Sequence, residues 1–240
     1  MSVPRRSRRS FPLKRISPVV AVSLLASLSP GRAAAQVDVG LEARTLSRYL
    51  FAGLPFSTGW VGQGQVVVSV SGFTFNGYTN YDFDTEEINE LDIWGDYFHV
   101  FSDVFGAYVG AGLYNFKNVV EVGEYSATPE LYGGVAFFTV LNPSLYVAHD
   151  FDLGDGTHAY ASLSHDVPVG IVTFTGTGRL AYNAHYWREG SGFSYADLNV
   201  AAAVPFGIFT FTPSVDFVGS LDDDDFIDVV VWGASLRADF

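Results

Sequence analysis

The chain of 240 residues contains 26 acidic and 13 basic residues and has a formal net charge of −13. Such an excess of negative charge repels phosphate groups, which excludes nucleic acid as a partner. The chain contains no cysteine, so disulfide bonds, thiolate metal sites and a cysteine nucleophile are excluded as well.

The first 35 residues have the composition of an export signal. Six basic residues precede position 16, an apolar run with small residues covers 18–28, and three alanines at 33–35 offer a cleavage site. The apolar run is shorter than the roughly 20 residues that a helix needs to cross a bilayer. We therefore expect a cleaved signal peptide at 1–35 and a single domain at 36–240. Cleavage removes seven basic residues and no acidic ones, which leaves six basic and 26 acidic residues and a charge of −20.

After residue 35, apolar residues are distributed by alternation. Phe73, Phe75, Tyr81 and Phe83 alternate with polar residues, and a period of two is typical of a strand with one apolar and one polar face. Similar alternation predicts about twelve strands. Their approximate ranges are 37–51, 63–71, 73–84, 89–101, 104–116, 127–138, 145–153, 158–164, 171–182, 193–204, 209–217 and 227–240.

The connections between these strands alternate in length. Most odd-numbered connections are long or polar, namely 52–62, 84–88, 117–126, 183–192 and 219–226. The even-numbered ones are short, namely 71–72, 102–103, 140–143, 167–169 and 205–207, and a short seventh connection at 154–156 breaks the rule. This alternation is typical of an up-and-down barrel with external loops and periplasmic turns. We expect an all-β, antiparallel transmembrane barrel in a bacterial outer membrane, reached after export across the inner membrane.

The last strand ends on an aromatic residue. Trp232, Leu236 and Phe240 share its apolar face, with small or polar residues between them. This ending is similar to the terminal strand by which outer-membrane proteins are recognised, so these three residues are predicted to form an insertion signal for the barrel-insertion machinery. Aromatic residues near other strand ends are predicted to form interfacial girdles. They are Tyr49, Phe51, Trp60, Tyr97, Phe101, Phe137, Phe138, Trp187 and Phe240.

Several short segments carry a family resemblance. The segments 69–84, 130–134, 141–144 and 212–215, with an opening strand at 47–53, resemble the TorF-type porins, a family of uncharacterised function. The resemblance covers most of the chain after residue 35. It implies a barrel with a role in transport and implies no substrate.

The polar faces of the predicted strands carry the candidate functional residues. Carboxylates that line a narrow polar passage favour cations, so we expect a channel for small solutes with a modest cation preference. The alternative is that side chains fill the barrel and the charges form a buried network. The predicted lumen-lining residues are Arg44, Asp82, Asp92, Asp96, Glu130, Asp150, Asp152, Arg179, Asp197, Asp216 and Arg237.

Other groups of residues suggest chemistry less strongly. Ser164, His165 and Asp166 supply the residue types of a hydrolase, but neighbours on a strand point to opposite faces. Asp150, Asp152 and Asp155 superficially resemble a calcium loop, although Gly-Asp-Gly is an ordinary tight turn. The sequence therefore predicts no catalytic residue, metal ion or cofactor.

The expected partners follow from the predicted barrel. They are outer-membrane lipid, lipopolysaccharide, the insertion machinery and small solutes. The acidic run 222–225 could attract the divalent cations that bridge lipopolysaccharide, although a solvated external loop is the simpler interpretation. Two other classes stay open: a non-conducting structural or adhesion barrel that binds partners through its acidic loops, and a lipid-modifying enzyme.

Overall fold

The structure is a computed structural model that describes residues 37–119, 121–222 and 226–240. The predicted signal peptide and three of the four aspartates at 222–225 lie outside these ranges. A helix with the length and hydropathy to cross a bilayer is not found within them.

The described residues form β-strands joined by turns and loops. The strands are β1 (Val37–Leu46), β2 (Leu50–Phe51), β3 (Leu54–Pro55), β4 (Val61–Val70), β5 (Phe73–Asp82), β6 (Glu87–Ser102), β7 (Phe105–Lys117), β8 (Tyr125–Phe137), β9 (Ser144–Asp150), β10 (Gly156–Val169), β11 (Val172–Ala184), β12 (Ser191–Phe206), β13 (Phe209–Ser220) and β14 (Val229–Asp239).

Twelve of these strands form one closed antiparallel barrel. Each barrel strand pairs with the next along the chain, and β1 closes the ring by pairing with both β4 and β14. Leu41 shows the closure, since it lies opposite Val66 on one side and Ala238 on the other. The predicted fold and strand number are confirmed. The short strands β2 and β3 form a separate hairpin inside the connection between β1 and β4.

Burial alternates along the strands as the sequence predicts. In β7, Gly110, Gly112 and Tyr114 are buried, while Ala111 and Leu113 between them are exposed. The exposed side of the barrel is therefore rich in large apolar side chains. A closed sheet leaves no unpaired strand edge, and an apolar outer surface suits hydrocarbon better than water.

The two ends of the barrel differ. The connections 47–60, 83–86, 118–124, 151–155, 185–190 and 221–228 lie at one end, called here the loop end. The other end is called here the turn end. It contains the start of β1, the end of β14 and the connections 71–72, 103–104, 138–143, 170–171 and 207–208.

Two turns lie slightly later in the chain than predicted. The sequence places them at 167–169 and 205–207 because proline interrupts each segment, but Pro168 and Pro205 lie within paired strands. The chain reverses at Gly170 and Gly207, where φ is +63° and +65°. A hairpin turn with positive φ at its first central residue favours glycine there, so glycine and not proline decides the position of both turns.

We expect Leu131→Arg to destabilise the barrel in lipid vesicles by about 2–4 kcal/mol, because Leu131 is exposed on the outer face at the centre of β8. Ile171→Arg is the matched control at the turn end and should cost about 1 kcal/mol or less, since arginine is tolerated near the interface. Urea unfolding in vesicles, followed by tryptophan fluorescence, measures both. Equal losses at the two positions would contradict a lipid-facing wall.

Candidate functional site

The barrel interior collects the charged residues that the alternation predicts. All of the predicted lumen-lining residues except Asp152 lie on inward positions of the barrel strands. Those that are buried are Asp82, Asp92, Glu130, Asp150 and Asp197. Those that are partly exposed are Arg44, Asp96, Arg179, Asp216 and Arg237.

Asp152 lies in a turn because β9 ends at Asp150, three residues before the end of the predicted strand. The Asp150 carboxylate accepts backbone N–H bonds from Asp152 at 2.9 Å and Gly154 at 3.0 Å, and it accepts the Thr128 hydroxyl at 2.5 Å. These bonds bend the chain and leave the Asp152 side chain exposed. Asp150 Oδ1, an oxygen that a calcium ion could use, therefore accepts the hydrogen bonds that hold the turn. Within the described ranges, no three His, Asp or Glu side chains are grouped as a metal site.

The three inward arginines each pair with a carboxylate. Arg44 lies 2.6 Å from Glu42 on β1, and Arg237 lies 2.7 Å from Asp239 on β14. Arg179 on β11 lies 2.9 Å from Asp197 on β12. All three pairs lie on the wall formed by β11–β14 and β1, called here the paired wall.

The wall formed by β6–β9, called here the acidic wall, has a different chemistry. Its carboxylates are bonded mainly by hydroxyl groups. Tyr49 donates to Glu90 at 3.1 Å, and Tyr186 donates to Glu130 at 2.7 Å. Burial raises the pKa of the Tyr186 phenol well above its usual value, so this group stays protonated and acts as a donor. The ion pair of this wall joins Glu87 to Lys117 at the loop end, at 2.9 Å. In the described part of the chain, no ion pair joins the inward carboxylates Glu90, Asp92, Asp96, Glu130 and Asp150 to Lys or Arg.

The prediction of the interior omitted some acidic residues. Glu90 is completely buried two residues before Asp92, so the alternation that predicted Asp92 also predicts Glu90. Glu42 lies two residues from Arg44 on β1 and shares its inward face. Asp166 lies two residues from Ser164 on β10 and likewise faces inward. The excess of acid inside the barrel is therefore larger than the predicted set suggests.

The loop between β1 and β4 folds into the barrel. Phe51 from its hairpin is 2% exposed and contacts Phe116 of β7 with ring centroids 5.1 Å apart. Phe56 lies 4.6 Å from the same ring, while Tyr186 and Trp187 from the loop before β12 close around Phe51. We call these five aromatic residues the plug.

The hairpin that carries the plug depends on a tight turn. Ala52 and Gly53 have φ values of +48° and +86°, as a two-residue hairpin turn of type I′ requires. A Cβ atom on Gly53 would overlap the Tyr195 ring of β12, so glycine also allows the close approach of hairpin and wall. The Tyr49 N–H donates to Ser57 Oγ at 2.7 Å and ties the two sides of the loop together.

This loop corrects two predictions. The first strand ends at Leu46, not near position 51, because the chain leaves the barrel wall to form the hairpin. Tyr49, Phe51 and Trp187 are consequently inside the barrel and do not belong to an interfacial girdle. The other predicted girdle residues on the outer surface are exposed, except Phe138, which packs beside Phe98.

The interior is consequently uneven along the barrel axis. Inward residues in the loop half, such as Asn80, Thr128 and Asn183, are almost completely buried. Inward residues in the turn half, such as Gln65 and Asn199, are partly exposed. Side chains in the turn half are therefore accessible to solvent, whereas the plug and its neighbours fill the loop half.

The residues of the hydrolase hypothesis do not meet. Ser164 is bonded to Thr177 and Asp166 to Thr175 inside the barrel, whereas His165 lies outside and contacts the Val140 carbonyl at 2.6 Å. Another histidine, His149, has Nδ1 2.9 Å from the Thr157 hydroxyl on the outer surface.

The predicted insertion signal lies on the outer surface at the seam of the barrel. Trp232 is 59% exposed and Leu236 42% exposed, both on the outer face of β14. Phe240 follows the strand, is 64% exposed, and exchanges backbone hydrogen bonds with Val39 at 2.9 and 3.2 Å. The three side chains are available to a partner or to lipid, and their role in insertion stays a prediction.

Comparison with known proteins supports the fold. No protein-family model matches the chain, and no curated protein matches it in sequence. The KdgM porin matches with a TM-score of 0.54 and 14% identity over 84% of this chain and 99% of the porin. A KdgM porin in complex with disordered oligogalacturonate matches with a TM-score of 0.50 and 10% identity, over 85% of this chain and 99% of that chain. The chain shares a barrel fold with this porin, and the resemblance to TorF-type porins stays a prediction.

Proposed function

We propose that the chain forms an outer-membrane pore for small solutes, with a modest preference for cations. The observation that carries the proposal is a closed barrel whose outer surface is apolar and whose turn half encloses a polar, solvent-accessible interior. A closed barrel of this kind spans a membrane without leaving backbone groups unpaired. The likeness to KdgM porins is consistent with a porin function.

The charge of the interior supports the cation preference. The inward arginines are already paired, whereas Asp96 and Glu130 on the acidic wall are bonded by tyrosine hydroxyls. An uncompensated carboxylate in a passage lowers the energy of a passing cation and raises that of an anion. A pore of this chemistry is poorly suited to a polyanion such as the oligogalacturonate bound by the KdgM porin.

The plug defines the second candidate function. A barrel whose loop half is filled by aromatic side chains conducts only if the plug yields, and otherwise acts as a structural or adhesion barrel. Its acidic external connections would then bind partners. Among them Asp222 is tied to Arg188 by a contact of 2.8 Å, so this part of the acidic run is held against the barrel mouth.

We expect purified, folded protein to give conductance steps in planar bilayers and a cation-selective reversal potential in a KCl gradient. The double variant Asp96→Asn, Glu130→Gln should shift the reversal potential toward zero, because it removes two carboxylates without a basic partner. Asp103→Asn, in an exposed turn, is the matched control and should behave as the unaltered protein. An unchanged reversal potential in the double variant would refute the proposed origin of selectivity.

We expect the double variant Phe51→Ala, Phe56→Ala to conduct more than the unaltered protein, because both rings fill the loop half of the barrel. Single-channel recording measures the change, and Phe75→Ala on the outer surface serves as the control. If neither the unaltered protein nor the plug variant conducts, the pore proposal fails and the non-conducting barrel is the better account.

A further inference from the structure

The inner wall formed by β6, β7 and β8 alternates aromatic residues with glycines. Tyr132 lies directly opposite Gly110, and Tyr108 lies directly opposite Gly134. A Cβ atom on Gly110 would overlap the Tyr132 ring, and one on Gly134 would overlap the Tyr108 ring. Both side chains therefore lean across the neighbouring strand, along the wall. The Tyr108 ring is partly exposed to the interior, whereas the Tyr132 ring is buried, with 3% of its surface exposed.

Asp96 completes a row across the same three strands. Asp96 lies on β6, directly opposite Gly110 of β7. Its Oδ2 accepts a hydrogen bond from the Tyr132 hydroxyl at 3.3 Å. The Tyr108 and Tyr132 rings have centroids 6.4 Å apart and planes inclined at 57°. Asp96 and Tyr108 are both partly exposed, and they belong to the turn half of the barrel. No lysine or arginine among the described residues pairs with Asp96.

A neighbouring part of the barrel contains the same groups with a cation in place. The Arg179 guanidinium lies 5.9 Å from the centre of the Tyr160 ring and is paired with the Asp197 carboxylate at 2.9 Å. A cation held between a tyrosine face and a carboxylate is therefore an arrangement that this interior already uses. At Asp96 the carboxylate and the Tyr108 ring are present, and no Lys or Arg among the described residues pairs with the carboxylate.

We propose that Asp96 and Tyr108 form a binding site for a small organic cation with an alkylated ammonium group, and that Tyr132 positions the Asp96 carboxylate through its hydroxyl. Such a group is attracted by the negative faces of aromatic rings, and the carboxylate supplies the opposite charge. The inference deepens the proposed function and rests on it for the route by which the ligand enters. It names the class of solute that the pore prefers.

The test is isothermal titration calorimetry of the detergent-folded protein with choline. The neutral isostere 3,3-dimethyl-1-butanol has the same shape without the charge and is the ligand control. The variants are Asp96→Asn, Tyr108→Leu and Tyr108→Phe. Asp216→Asn, which removes a carboxylate from the paired wall, is the matched comparison. Heat-modifiable migration on gels establishes that each variant is folded before it is titrated.

We expect saturable binding of choline and none of the isostere. Asp96→Asn should weaken choline binding about tenfold, and Tyr108→Leu about three- to tenfold, because each removes one attractive element. Tyr108→Phe keeps the ring and should retain binding, and Asp216→Asn should weaken it less than Asp96→Asn.

Three results would overturn the inference: no choline binding by the folded protein, equal binding of the isostere, or unchanged binding by Asp96→Asn. Planar-bilayer recording keeps the two proposals separate. Choline binding by a protein that conducts neither in its unaltered form nor as the plug variant supports the site and refutes the pore. Conductance without choline binding supports the pore and refutes the site.

Discussion

The closed hydrogen-bond ladder is the constraint on which the rest of this molecule depends. In hydrocarbon no water can satisfy a free N–H or C=O group, so the sheet must have no edge. The pairing of β1 with both β4 and β14 meets that condition. Closure also separates two environments that an open sheet would mix. Every second side chain then faces outward, and the others share a small enclosed volume.

Crowding in that enclosed volume explains the composition of the inner wall. Some large rings fit because the opposing position is small, as in the pairing of Tyr132 with Gly110 and of Tyr108 with Gly134. The same crowding limits water and makes each uncompensated charge costly. The acidic wall meets part of this cost with hydroxyl donors such as Tyr49 and Tyr186, whereas the paired wall uses arginine. One side of the interior therefore has carboxylates bonded by hydroxyl groups, and the other has carboxylates paired with arginine.

The sequence predicts the strands and the inward faces because both depend on a local period of two. The positions of Asp96 and Glu130 on the inner wall follow from counting along one strand. Pairing between strands is harder to predict, since it depends on register. The contact of Arg179 with Asp197 joins residues that are 18 positions apart on different strands. The inward fold of the first loop was missed for a related reason. The residues next to Phe51 in the sequence do not show whether its ring lies at a membrane interface or inside the barrel. Its position inside depends on Tyr186 and Trp187, which are distant in the sequence.

The position of the plug in the chain has a consequence for the order of assembly. The hairpin belongs to the first connection, yet its contacts reach Tyr186 and Trp187 before β12 and Phe226 before β14. The part of the hairpin's contact surface that these residues form is absent until the late strands have been added. Contacts of such long sequence separation form slowly. Until then the hairpin has only its early contacts, such as those of Phe51 and Phe56 with Phe116 of β7. The plug is therefore complete only when both halves of the chain have come together.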